Sequence, residues 1–116
     1  MTAYEVFTAA LDACPYPATQ IPVTGDGPIY VSWTEIRGTV ARSASNQPVV
    51  LQHVVQVDIW SRKAVCPELY PVLRVLWRNG IHVDSWGPLM YEEDTFWFHM
   101  PITCRINERF DPNSDD

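Results

Sequence analysis

Positive charge is scarce in this sequence. Eight lysines and arginines stand against fourteen aspartates and glutamates in 116 residues, a net charge of −6. A free-standing nucleic-acid binder usually carries a basic surplus, so the balance argues against one. Long apolar runs are missing as well. A membrane-spanning helix needs about 20 apolar residues and no run approaches that, so no membrane partner is expected. Cysteine is limited to Cys14, Cys66 and Cys104, an odd number with no CxxC pair. That is a poor disulfide framework and a poor zinc site, and it suits folding in a reducing compartment. The chain opens Met1-Thr2-Ala3-Tyr4-Glu5, without a basic segment ahead of an apolar stretch, so no secretory signal is expected.

The chemical inventory is equally thin. There is no glycine-rich phosphate loop, no GxSxG and no HExxH. No two cysteines or histidines sit at the short spacing of paired metal ligands. His53, His82 and His99 each fall in an expected strand and read as half-buried polar neighbours. Glu92-Glu93-Asp94 reads as a solvated turn rather than a cation site. A nucleophile at Cys66 or Cys104 would need a markedly lowered thiol pKa. No catalytic, cofactor-binding or metal-ligating residue is assigned, and no enzymatic activity is expected.

What is present is a chain 47% hydrophobic and 19% charged, enough for one globular domain with its own core. Thr2-Ala3-Tyr4-Glu5 is a capping box. Ala3, Phe7, Ala10, Leu11 and Cys14 recur on one helical face, which predicts a helix over 3–13 that Pro15 and Pro17 stop. Residues 15–28 hold four prolines and read as a stiff surface loop. A strand follows at 29–36. Residues 37–48 are small, polar and basic, and predict a long mobile loop that orders on assembly. The strongest strand is 49–60, with Val55, Val57 and Ile59 on one face and Gln56, Asp58 and Trp60 on the other.

Leu69, Val72, Leu73, Leu76 and Trp77 mark an amphipathic helix ended by Asn79-Gly80, with Pro71 expected to distort its first turn. Strands are expected at 81–86 and 96–106, the second with Phe96, Phe98, Met100 and Ile102 facing the core. Pro101 then calls for a sheet edge or a bulge. The expected architecture is α+β. Two helices pack on one face of a four-stranded, mainly antiparallel sheet in the order α-β-β-α-β-β. Residues 1–106 form the domain, and 107–116 form an acidic, flexible tail.

Two features point to surfaces. Residues 37–78 carry a charge of +4 and the remainder −10, which suits docking of one copy on another as well as an unevenly charged solvated surface. Trp60 and Trp97 fall on the face opposite the expected core. Three readings stand: an assembly interface, a position at the core's edge under a loop, or nucleic-acid stacking. Arg37, Arg42, Trp60, Arg62 and Trp97 are the candidate interface residues.

The element order, the loop between the first two strands, and the segment Val55-Gln56-Val57-Asp58-Ile59-Trp60-Ser61 leading into a helix resemble the tail-terminator (tail-completion) proteins of long-tailed bacteriophages. Proteins of that family are not enzymes. They form a six-membered ring on the finished tail tube, stop its polymerisation and present a surface to the head connector. The resemblance implies four things for this chain. It joins copies of itself in a homo-hexameric ring, and it contacts the tail tube protein and the head–tail connector protein. DNA passes through the ring without sequence-specific binding, past an acidic wall. Its location is the virion tail or neck, after assembly in the host cytoplasm. A different reading of the same elements is a small ferredoxin-like ligand-binding or regulatory domain, with a pocket between helices and sheet.

Overall fold

The computed structural model describes residues 2–19, 28–42, 47–64 and 66–114. Parts of the expected loops at 15–28 and 37–48, and the last two residues of the expected tail, lie outside the described residues. The elements are α1 (Ala3–Asp12), β1 (Ala18–Thr19), β2 (Ile29–Arg42), β3 (Val49–Ser61), α2 (Leu69–Arg78), β4 (His82–Trp86), β5 (Met90–Glu92) and β6 (Trp97–Phe110).

Local chemistry sets the helices. The Thr2 hydroxyl accepts from the Glu5 amide at 3.1 Å, and the Glu5 carboxylate accepts from the Thr2 amide at 3.1 Å. Thr2→Ala is expected to cost about 1 kcal/mol of unfolding free energy in urea titrations, the usual worth of such a cap. In α2, Pro71 is the third residue, where an amide has no intrahelical acceptor anyway. The first turn tightens there, with Leu69 donating to Cys66 and Tyr70 to Pro67 over 3.2 and 3.3 Å.

The coarse class is as expected, mixed α+β with two helices. The sheet is larger than the four strands expected: six strands, in the order β1-β2-β3-β6-β4, with β5 also pairing β6. Short β1 is parallel to β2, and every other pair is antiparallel. Because β3 and β4 both oppose β6, they run parallel to each other, joined by the α2 crossover. Pro101 lies in the gap where β4 ends and β5 has not begun. Its carbonyl accepts from the Gly87 amide on that side, so the residue without an N–H falls at a break in the edge pairing rather than inside a continuous ladder.

Three expectations are corrected. Residues 37–42 are strand rather than loop, paired with Val50–Val54. Residues 107–110 are strand rather than tail, paired with Val49–Gln52, so the domain runs past the expected boundary at 106. Neither stretch carries a periodic apolar run, because both leave the helices behind, and Ile36–Arg42 are all exposed. Phe96 is not a core residue: it is 65% exposed at φ 60, in the turn before β6 begins, so the alternation does not extend to it.

The main core lies between the helices and one sheet face. Phe7, Leu11, Val57, Ile59, Leu76 and Ile102 are all buried there. Beyond the helices β2, β3 and β6 continue as a three-stranded arm, and the molecule measures 51 × 23 × 22 Å.

Candidate functional site

The arm has two unlike faces, and two β-bulges make them so. Pairing slips between Glu35 and Arg37 and again between Val40 and Arg42. Without the first slip, Arg37 would share the helix-side face with Glu35. Without the second, Arg42, five residues on, would face away from Arg37. The slips set three cross-strand rows on the face away from the helices: Arg37–Val54–Arg105, Thr39–Gln52–Asn107 and Arg42–Val50–Arg109. Gln52 donates to Asn107 across the middle row at 3.3 Å. Arg105 is held by Asp84, with Nε at 2.8 and 2.9 Å from the two carboxylate oxygens. Among the described residues Arg37, Arg42 and Arg109 have no ion-pair partner. Two open hollows flank the rows. One of about 330 Å³ touches Gln52, His82 and Arg105, and one of about 410 Å³ touches Arg42, Val50 and Arg109.

The opposite face of the arm is apolar at its tip, with Val40 paired to Leu51 and Val49 to Phe110. Where this face meets the body, His53 is clamped between two carboxylates. Its Nδ1 contacts Glu35 on β2, and its Nε2 lies 2.7 Å from Glu108 on β6. The Tyr4 hydroxyl of α1 donates to Glu35 at 2.8 Å. Burial opposes charge on the imidazole, but hydrogen bonds to Glu35 and Glu108 outweigh it and raise the His53 pKa above its ordinary value. Burial likewise opposes charge on Glu35, and bonds from His53 and Tyr4 overcome it and lower its pKa. Both shifts have the same cause: contact between the imidazole and its carboxylate neighbours favours a protonated His53 beside an ionised Glu35. His53 is in phase with Val55, Val57 and Ile59, which is the sequence signal for its burial. Glu108 was hidden by the expectation of a tail.

The candidate interface residues separate into two groups. Arg37 and Arg42 are exposed on the arm. Trp60 and Trp97 lie on the expected face, away from the helices, yet the chain buries them itself at 8% and 1% exposure. Tyr30 stacks on Trp60 and meets Trp97 edge-on, at centroid distances of 5.7 and 5.1 Å. His99 stacks on Trp60 at 4.6 Å, and the Trp60 indole donates to Ser32 at 2.9 Å. Arg62 covers the Trp97 ring at 3.7 Å and donates to the carbonyls of Thr95 and Phe96. An exposed aromatic contact pair is thus replaced by a second small core, and Arg62 serves as its lid.

Burial pushes all three thiols up, Cys104 to about 12, the reverse of an activated nucleophile. Among the described residues no group of three or more His, Cys, Asp or Glu side chains is placed to hold a metal ion. No described helix is long and apolar enough to cross a membrane. At the level of sequence, no protein-family model and no curated protein matches the chain.

Proposed function

We propose that this chain is a ring-forming structural subunit of the tail-terminator type found in long-tailed bacteriophages. The observation that carries the reading is the placement of exposed apolar side chains at both ends of an elongated molecule. Ile36, Val40 and Phe110 lie along the arm, while Met90, Tyr91 and Phe96 lie beside the opposite end of β6. Large exposed apolar residues gathered in patches mark contact surfaces. Two different patches at opposite ends favour head-to-tail contacts, and such contacts close into rings when the rotation per subunit allows. The mixed α+β class, with two helices on a mainly antiparallel sheet, is compatible with this reading, though the sheet has two more strands than the resemblance implies.

On this reading the subunit catalyses nothing. It forms a hexamer at the end of the tail tube, ends polymerisation, receives the head connector, and lets DNA pass through its centre within the virion neck. The ligand-binding alternative calls for a pocket between helices and sheet, and that space is filled by side chains such as Phe7, Ile59 and Leu76.

The test uses tails assembled without their terminator. Adding the purified chain is expected to halt tube growth and make the tails competent to join heads, and sedimentation of the chain at high concentration is expected to show a closed oligomer. A chain that stays monomeric at every concentration and leaves tube growth unchanged would refute the reading.

A further inference from the structure

The arginine rows on the arm are an anomaly in an acidic protein. Four of its eight basic side chains lie on one face of three short strand segments, and three of them have no ion-pair partner among the described residues. Two bulges are spent on placing them together. Glu5, Glu108 and Asp111 border a hollow with Arg109 without forming an ion pair with it, and two further acids lie far from the rows. Glu93 and Asp94 are exposed in the turn between β5 and β6, also without ion-pair partners among the described residues. Their neighbour Glu92 is turned inward, accepting from Thr95 at 3.3 Å and lying 3.6 Å from His99.

From Trp97, where β6 leaves that turn, to the rows at Arg105 and Arg109 is roughly 25–40 Å of extended strand. That exceeds the screening length of about 8–10 Å at ordinary ionic strength several times over. One molecule cannot pair these charges internally, whereas two molecules end to end can.

We propose that the Arg37–Arg42–Arg109 face of the arm is the docking surface for the Glu93–Asp94 turn of a second copy of this chain. The inference rests on the ring-forming reading and names the contact through which the ring would close. The arm supplies arginines from β2 and β6 on one face, with Thr39, Gln52 and Asn107 in the row between as hydrogen-bonding groups. The incoming turn supplies two carboxylates on a short loop that Arg62 pins from behind through Thr95 and Phe96. The contact is heterologous, since each copy offers an arginine face at one end and an acidic turn at the other. A second copy is favoured over nucleic acid as occupant because the acidic partner surface is present on the chain itself. A net charge of −6 would also repel a phosphate backbone from everything around the arm.

A charge exchange tests this in the full chain. One variant carries Arg37→Glu, Arg42→Glu and Arg109→Glu, and the other carries Glu93→Lys and Asp94→Lys. All five positions are exposed, and circular dichroism checks that both variants fold. A neutral set, Arg37→Gln, Arg42→Gln and Arg109→Gln, serves if the reversal does not. By sedimentation, each variant alone is expected to associate at least about tenfold more weakly than the parent, the scale of one close interfacial charge pair. The equimolar mixture is expected to recover association, because each contact in an alternating assembly again joins opposite charges.

Parent-like association of either variant alone would overturn this contact and leave the ring reading standing. A mixture that stays apart would overturn it too. A parent chain that is monomeric at all concentrations and leaves tube growth unchanged would remove the ring reading itself. A monomeric parent that binds duplex DNA through these arginines would assign the face to nucleic acid instead.

Discussion

Trp97→Ala is expected to destabilise the subunit by about 3 kcal/mol, toward the lower end of the range for a buried large aromatic. The side chain is 1% exposed, with Tyr30 edge-on and Arg62 over its ring, so truncation opens a cavity and leaves the guanidinium without its platform. Among the described residues the indole N–H has no hydrogen-bond partner, and an orphaned buried donor costs about 1–3 kcal/mol. Removing it returns part of the loss, which is why the lower figure is expected. Trp97→Phe keeps most of the apolar contact without the orphan and is expected to cost under about 1.5 kcal/mol. Phe98→Ala, at a half-buried position beside Tyr91, is expected to cost less than Trp97→Ala. Urea titrations with an unchanged slope would measure all three. A Trp97→Ala protein as stable as the parent would contradict the second core.

His53→Ala carries the other large expected effect, a loss of about 2–4 kcal/mol near pH 6. It would leave Glu35 and Glu108, both partly buried, without the cation between them. The effect depends on pH on both sides. The His53 pKa is raised in the fold, so its contribution is complete below the ordinary imidazole value. It fades as pH rises through the raised one, where a ring nitrogen loses its proton and turns a lone pair toward a carboxylate. The Glu35 pKa is lowered, so its contribution is present above the ordinary carboxylate value and fades as pH falls through the lowered one. Parent and variant are therefore expected to differ most between those limits and to converge on the alkaline side. A difference independent of pH would show that the imidazole acts only by its volume. The triple change His53→Leu, Glu35→Gln, Glu108→Gln is expected to recover much of the loss, because it removes the charges together.

These residues show what was legible in the sequence. The first helix could be read almost to its ends, because its cap lies within four residues and its stripe within twelve. The α2 stripe and β3 were equally plain, since burial imprints a period. The arm was not legible. Periodicity records which side chains are covered, and Arg37–Arg42 and Asn107–Phe110 pair their backbones while nearly all their side chains, Glu108 apart, stay open. Strand pairing of that kind is set by partners far away in the chain, and it leaves no local pattern. The same gap hid the candidate site. His53 carried a signal in its phase, but Glu108 could only be brought to it by a strand the composition did not announce. The slips beside Ile36 and Ala41, which place both arginines on one face, are set by β3 across the sheet. Trp60 and Trp97 were assigned to the correct face, while their burial depended on Tyr30 and Arg62, which alternation alone does not connect.

The two slips in β2 have a genetic corollary. A strand is read in twos, as a message is read in threes, and each slip shifts the phase once. Each slip seats one extra residue, Ile36 or Ala41, against the β3 ladder. Losing the codon for Ile36 would therefore erase a bulge and leave the faces as they are, because Arg37 would follow Glu35 directly and still meet Val54. Losing the codon for Gly38 would instead set Arg37 and Thr39 side by side, where they can no longer share a face. Single-residue losses in this segment should therefore be tolerated at Ile36 or Ala41 far better than between them.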